Sequence, residues 1–182
     1  MLEITVPERE MFDNQTQEFI HIPETTLHLE HSLISLSKWE ATWEKPFLTE
    51  SQHSPEEMAD YVRCMTMDNR VNPVVYMGLT PSNMKAIQAY INAPHTATTI
   101  VDRSKQQPGR HKETITSELI YYWMISCDIP FACEKWHLNR LMMLIRVCSI
   151  KNTPAKKMSK EAMFAENNAL NKARRKALGS RG

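Results

Sequence analysis

Phe131-Ala-Cys-Glu-Lys-Trp-His-Leu-Asn-Arg-Leu-Met-Met-Leu-Ile-Arg-Val-Cys-Ser-Ile150 is the stretch on which the fold reading turns. Its apolar residues (Trp136, Leu138, Leu141, Met142, Leu144, Ile145, Val147, Cys148) recur at helical spacing and form a wide stripe. That pattern predicts one long helix, central to the core. Just upstream, Ile115 to Ser126 carries Leu119, Ile120, Tyr122 and Trp123, and Asp128-Ile-Pro130 ends it. The two segments predict a helical hairpin, with Trp123, Trp136, Leu141 and Ile145 buried between them.

Further upstream the helix signals are local. Leu33, Leu36, Trp39 and Trp43 lie on one helical face, in a helix expected to end at Lys45 because Pro46 follows. Ser54-Pro-Glu-Glu57 is a capping box with proline at the first helical position, which predicts a helix to about Met67 with Met58, Tyr61, Val62 and Met65 inward. Thr80-Pro-Ser-Asn83 repeats the signal for a helix over 81–92, closed by Pro94. Thr96 to Val101 reads as a strand, and 102–112, with Pro108-Gly109, as an exposed loop.

The period changes to two in the first 31 residues. Leu2, Ile4 and Val6 alternate, Phe19 to Ile22 is a β-favouring run, and Leu27 and Leu29 alternate again around a turn near 12–16. A small antiparallel element with one wet face follows. Beyond 150, Lys151-Asn-Thr-Pro-Ala-Lys-Lys157 is a linker, and a basic helix is expected over about 160–177, capped by Ser159. The fold class is therefore α+β, mostly helical. Residues 1–150 form one domain (β element 1–31, helical core 32–150), followed by a basic segment, 151–182.

A length of 182 residues with 42% hydrophobic and 24% charged residues suits one packed domain with a tail. No apolar run approaches the ~20 residues that span a bilayer. Met1 to Glu10 lacks the basic-then-apolar pattern of a secretion signal, so a cytosolic protein with reduced thiols is expected. With four glycines and neither G-x-G-x-x-G nor G-x-x-x-x-G-K, a glycine-rich phosphate loop is excluded.

The net charge of +1 hides an asymmetry. Residues 1–60 hold thirteen acids against three bases (−10), 61–150 ten bases against six acids (+4), and 151–182 nine bases against two acids (+7). Such a chain can dock its basic end on an acidic partner or on the acidic end of another copy. The candidate partner-binding residues are Lys156, Lys157, Lys172, Arg174, Arg175 and Lys176. Their cluster lacks interleaved aromatics, which argues against single-stranded nucleic acid.

Catalytic and metal motifs are thin. Cys133 and His137 are four apart, and Cys127 is nearby, but a fourth zinc ligand is missing. Glu134-Lys-Trp-His137 has the E-x-x-H spacing of di-iron bundles, but its companion Glu50-Ser-Gln-His53 lies in a proline-flanked loop. His137 is expected instead to donate to a backbone carbonyl or to Glu134. His28 and His31 point to opposite faces of a strand, against a shared metal. No nucleophile motif is present. A non-enzymatic protein without metal or cofactor is expected.

Several long segments resemble a family encoded in the structural modules of tailed bacteriophages. They are Leu27-His-Leu-Glu-His-Ser-Leu-Ile-Ser-Leu-Ser-Lys-Trp-Glu40, Trp43-Glu-Lys-Pro-Phe-Leu48, Tyr61-Val-Arg-Cys-Met-Thr66, Thr116-Ser-Glu-Leu-Ile-Tyr-Tyr-Trp-Met124, Ile129-Pro-Phe-Ala-Cys-Glu-Lys-Trp-His-Leu-Asn-Arg-Leu141 and Asn168-Ala-Leu-Asn-Lys-Ala-Arg-Arg175. Members of that family resemble tail assembly chaperones. The resemblance implies a non-enzymatic protein of the infected host's cytoplasm that binds the tape-measure protein during tail morphogenesis, with homo-oligomers possible and no catalytic residues. It leaves open a virion component, such as a head-tail connector or tail-completion protein. A nucleic-acid-binding accessory is the remaining alternative.

Overall fold

The computed structural model describes residues 1–13, 17–49, 53–100 and 114–152, together with 164, 167, 168, 170, 171 and 174. Four short strands open the chain: β1 (Leu2–Val6), β2 (Arg9–Asp13), β3 (Glu18–Ile22) and β4 (Thr25–Leu29). β1 pairs antiparallel with β4, and β2 with β3. Partner numbers add to 31 in both ladders: Leu2 lies opposite Leu29, and Arg9 opposite Ile22. The two small sheets are thus two halves of one long hairpin in a single register. Between them lie Pro7 on one strand and Pro23 on the other. Proline has no N–H to give a ladder, which is a physical reason for the break at this level.

In the proximal half the expected alternation holds. Ile4, Val6, Leu27 and Leu29 are buried, while Glu3, Thr5 and Thr26 face water. The extra strand is β2, whose Arg-Glu-Met-Phe-Asp has no apolar alternation to announce it.

At Glu30 the chain leaves the hairpin and enters α1 (Leu33–Trp43). Ser32 caps it by accepting from the Ser35 N–H, and Ser35 returns the bond to the Ser32 N–H. Glu44, left-handed at φ 53°, closes it just before Pro46. α2 (Pro55–Met65) starts on the Ser54/Glu57 capping box, as its sequence requires. It stops short of Met67 because the Met67 N–H turns to donate to the His28 carbonyl, 2.8 Å, beside a Leu29–Thr66 bridge. A short α3 (Val74–Met77) leads to α4 (Pro81–Asn92), capped by Thr80 as expected. Residues 96–100 form no strand, and 101–113, including the expected loop, lie outside the described residues. α5 (Ser117–Ser126) begins on Thr116 and ends on Cys127, followed by Asp128, whose φ is 53°.

The single long helix expected over 131–150 is two elements. Phe131–Lys135 is a 3-10 segment, Trp136 is extended, and α6 runs from Leu138 to Asn152. The interruption has a tertiary cause: His137 forms a bridge with Ser32, and the Leu138 N–H donates to the His31 carbonyl at 2.7 Å. The 28–32 segment is thereby bracketed by 65–67 on one side and 137–138 on the other. The most central helix is α1, which packs closely on α2, α5 and the 3-10 segment. Its Leu33, Leu36 and Trp39 are fully buried. Leu141 and Ile145 are buried as expected, but Trp123 and Trp136 are half-buried. Trp136 lies under the Arg140 guanidinium, 4.3 Å from its ring. On α5 the inward positions are Ile120 and Met124.

The architecture is α+β and mostly helical. It divides into two units, Met1–Ser149 and Ile150–Gly182. In the second, residues 164, 167, 168, 170, 171 and 174 are helical, within the expected basic helix.

Candidate functional site

The bracket around His31 organises a column of aromatic and imidazole rings. His53 stacks on Phe47 at 4.5 Å, and Phe47 stacks on Tyr61 at 3.9 Å. The Tyr61 hydroxyl meets His31 Nδ1 at 2.6 Å. The His31 ring is 5.1 Å from His137, which lies 4.0 Å from His95. Tyr90 packs against both His95 and His137. Sequence reasoning missed this column, because its members come from five separate segments.

His31, Tyr61 and His137 are buried, and His95 forms the exposed end. Burial pushes the His31 imidazole down to about 3, helped by its two neighbouring histidines. Burial lowers His137 too, and His95 adds to it. Burial also raises the Tyr61 phenol. Neutral forms are favoured at His31, His137 and Tyr61, as desolvation requires. The Tyr61–His31 pair is sealed from solvent, so it gives a substrate no access and acts as packing.

Two acids bolt loops to this core. Glu40 accepts from the Phe47 N–H at 3.1 Å and the Ser117 N–H at 2.7 Å. Glu57 accepts from Lys45 at 2.7 Å and from the Ser54 N–H at 2.8 Å. The Lys45 bond is the first cause holding its carboxyl below the usual range.

The two metal-like spacings do not assemble. Because the helix is interrupted, Cys133 and His137 are not one turn apart on a shared helical face. His137 donates to the Tyr90 carbonyl at 3.2 Å, the backbone option expected for it. Glu134 instead accepts from Tyr121, whose phenol is raised to about 12 by burial and then by this bond. Glu50 lies outside the described residues, and His53 meets the Phe47 carbonyl. Among the described residues no three His, Cys, Asp or Glu side chains are placed to hold a metal ion. His28 and His31 have different partners: His28 meets Asp68 at 2.9 Å, whereas His31 meets Tyr61.

A cavity of about 370 Å³ lies beside the start of α1, lined by residues including Ser32, Ser35, Lys38, Cys64 and Lys135. Burial raises the Cys64 thiol, keeping it in its unreactive form.

The surface is more telling. On α5, Tyr122 and Ile125 are more than half exposed, as is Phe131 just beyond it. Tyr121 lies 6.1 Å from the Phe131 ring and extends the same apolar region. Of the predicted basic residues, Arg174 is exposed on a helical segment with Phe164 and Leu170. Lys156, Lys157, Lys172, Arg175 and Lys176 lie outside the described residues. Among the described residues no helix is long and apolar enough to cross a membrane.

Neither a protein-family model, a curated protein sequence nor a solved structure matches this chain.

Proposed function

We propose that this chain is a non-enzymatic assembly protein that holds apolar helical stretches of a phage tape-measure protein, in the host cytoplasm, until the tail tube forms around it. The observation that supports this reading is the outer face of α5 with Phe131. Tyr122, Ile125 and Phe131 present large apolar side chains to water although the same helix already buries Ile120 and Met124. A helix apolar on both sides wants a second partner. An amphipathic partner helix laid along such a face is a recurrent recognition mode. The buried Tyr61–His31 pair is closed to a substrate, and the resemblance to tail assembly chaperones supplies the partner.

Binding of a purified helical tape-measure fragment to the full chain, measured by calorimetry, tests the reading. Tyr122→Ser with Ile125→Ser should weaken it by about tenfold or more, since each is placed as a central apolar anchor. Mass spectrometry of purified virions should find the protein depleted relative to tail-tube subunits. No binding, or stoichiometric presence in mature particles, would favour a virion component instead.

A further inference from the structure

We infer that the distal half of the hairpin, β2 with β3, is an acidic aromatic arm that takes the basic C-terminal segment of a second copy of this chain. Beyond Pro7 and Pro23 the hairpin feeds the core from one face only: among the described residues of β2 and β3, Ile22 is buried and Met11 and Ile20 are half-buried against the core. Phe12 and Phe19 lie directly opposite each other in the ladder, edge to face at 5.1 Å. They are 47% and 72% exposed. The pair shares its face with Glu10 and His21, because strand faces alternate every second residue.

The charge around this pair is one-sided. Glu8, Glu10, Glu18 and Glu24 are exposed. Arg9 is the only arginine or lysine of residues 8–24, and its guanidinium already donates to the Met77 carbonyl at 2.6 Å and to the Met11 sulfur at 3.3 Å. Among the described residues the one ion pair here is His21 with Glu8, at 3.8 Å and only when the imidazole is charged. Two exposed aromatic rings sharing a face with Glu10, on an arm whose other exposed acids are Glu8, Glu18 and Glu24, fit an apolar helix that carries cations.

The chain itself carries such a helix. Residues 151–182 hold nine bases and two acids. Phe164 and Leu170 are exposed on its helical residues, as is Arg174. Phe164 and Leu170 would cover the phenylalanine pair while the basic residues meet the glutamates. The occupant is then present at the same concentration as the arm, since every copy carries both. This arm–tail contact would form whether or not a tape-measure protein is the partner of α5.

The test is sedimentation velocity on the full chain at low and high salt, with charge reversal on each side. One variant carries Glu10→Lys and Glu18→Lys, the other Lys172→Glu and Arg174→Glu. Wild type should self-associate with concentration, and less so at 1 M salt, where the Debye length falls from ~10 Å to ~3 Å. Each reversal variant alone should need at least tenfold higher concentration. An equimolar mixture should regain association, since each reversed arm then meets a reversed tail. Phe12→Ser with Phe19→Ser should lose association with charge unchanged. A wild type that stays monomeric, a folded mixture that stays monomeric, or phenylalanine variants that associate as wild type would overturn the assignment. Loss of fold in the arm variants would overturn it too, because the arm would then belong to the core.

Discussion

β1 and β4 place Ile4, Val6, Leu27 and Leu29 in the core, whereas continuation of the same register into β2 and β3 buries Ile22, half-buries Met11 and Ile20, and leaves Phe12 and Phe19 in water. Backbone pairing is equivalent in the two halves, with five paired residues per strand in each. The difference therefore lies in what the side chains meet. The proximal half has α4 against β1 and the 65–67 segment along β4, while the distal half meets the short α3, through β3 and through the Arg9–Met77 bond of β2. A ladder does not by itself make a strand part of the core. Buried apolar area does, at roughly 25 cal/mol per Å².

The largest break in this comparison should come from truncating one residue in each half. Leu27→Ala removes a fully buried side chain and should cost about 2–5 kcal/mol. Phe19→Ala removes a ring that is mostly in water and should cost no more than about 1 kcal/mol, the worth of an aromatic pair. Urea denaturation of both variants checks the ratio, and equal costs would merge the two halves into one core.

A smaller effect is expected at the joint. A Cβ on Gly78 would meet Val6 Cγ1 at 2.7 Å and Ile22 Cγ2 at 2.9 Å, the last buried apolar residues of the two halves. Both are β-branched and packed, so Gly78→Ala should cost about 1–3 kcal/mol as an overpacked substitution. A neutral outcome would mean that the hairpin joint is loose.

The mildest lever is pH, acting where the proximal half hands over to α1. His31 and His137 are held neutral in the fold because burial depresses both. Unfolded, each binds a proton below about pH 6.5. Their contribution is therefore complete above that pH and is lost as pH falls toward the depressed folded values. The slope for His31 is about 1.4 kcal/mol per pH unit. Denaturation midpoints should fall between pH 7 and pH 5, and less steeply in His31→Asn. Identical slopes would contradict the buried, neutral assignment.

Where a signal was local, the sequence carried it to the residue. The capping boxes at Ser54 and Thr80 set the starts of α2 and α4, and the alternation of Leu2, Ile4 and Val6 set β1. What it hid was tertiary. The apolar stripe runs on through Trp136 and His137, yet the chain breaks there because His137 and Leu138 pair with Ser32 and His31, more than one hundred positions away. β2 was hidden because a strand with little buried side chain need not alternate. The ring column was hidden because no spacing in the chain joins His31 to His95 or Phe47. Of the candidate site, the basic cluster could be read from charge alone. The apolar outer face of α5 could not be separated from its inner one, because Tyr121, Tyr122, Trp123 and Ile125 surround the helix with apolar side chains.

The contrast between core ladder and free arm is tested most directly by native-state amide hydrogen exchange along the hairpin. Ladder amides of β1 and β4 should exchange only through global unfolding, and those of β2 and β3 through a smaller opening of lower free energy. A single exchange free energy across all four strands would contradict the account, because the arm would then be as much a part of the core as the strands that lead into it.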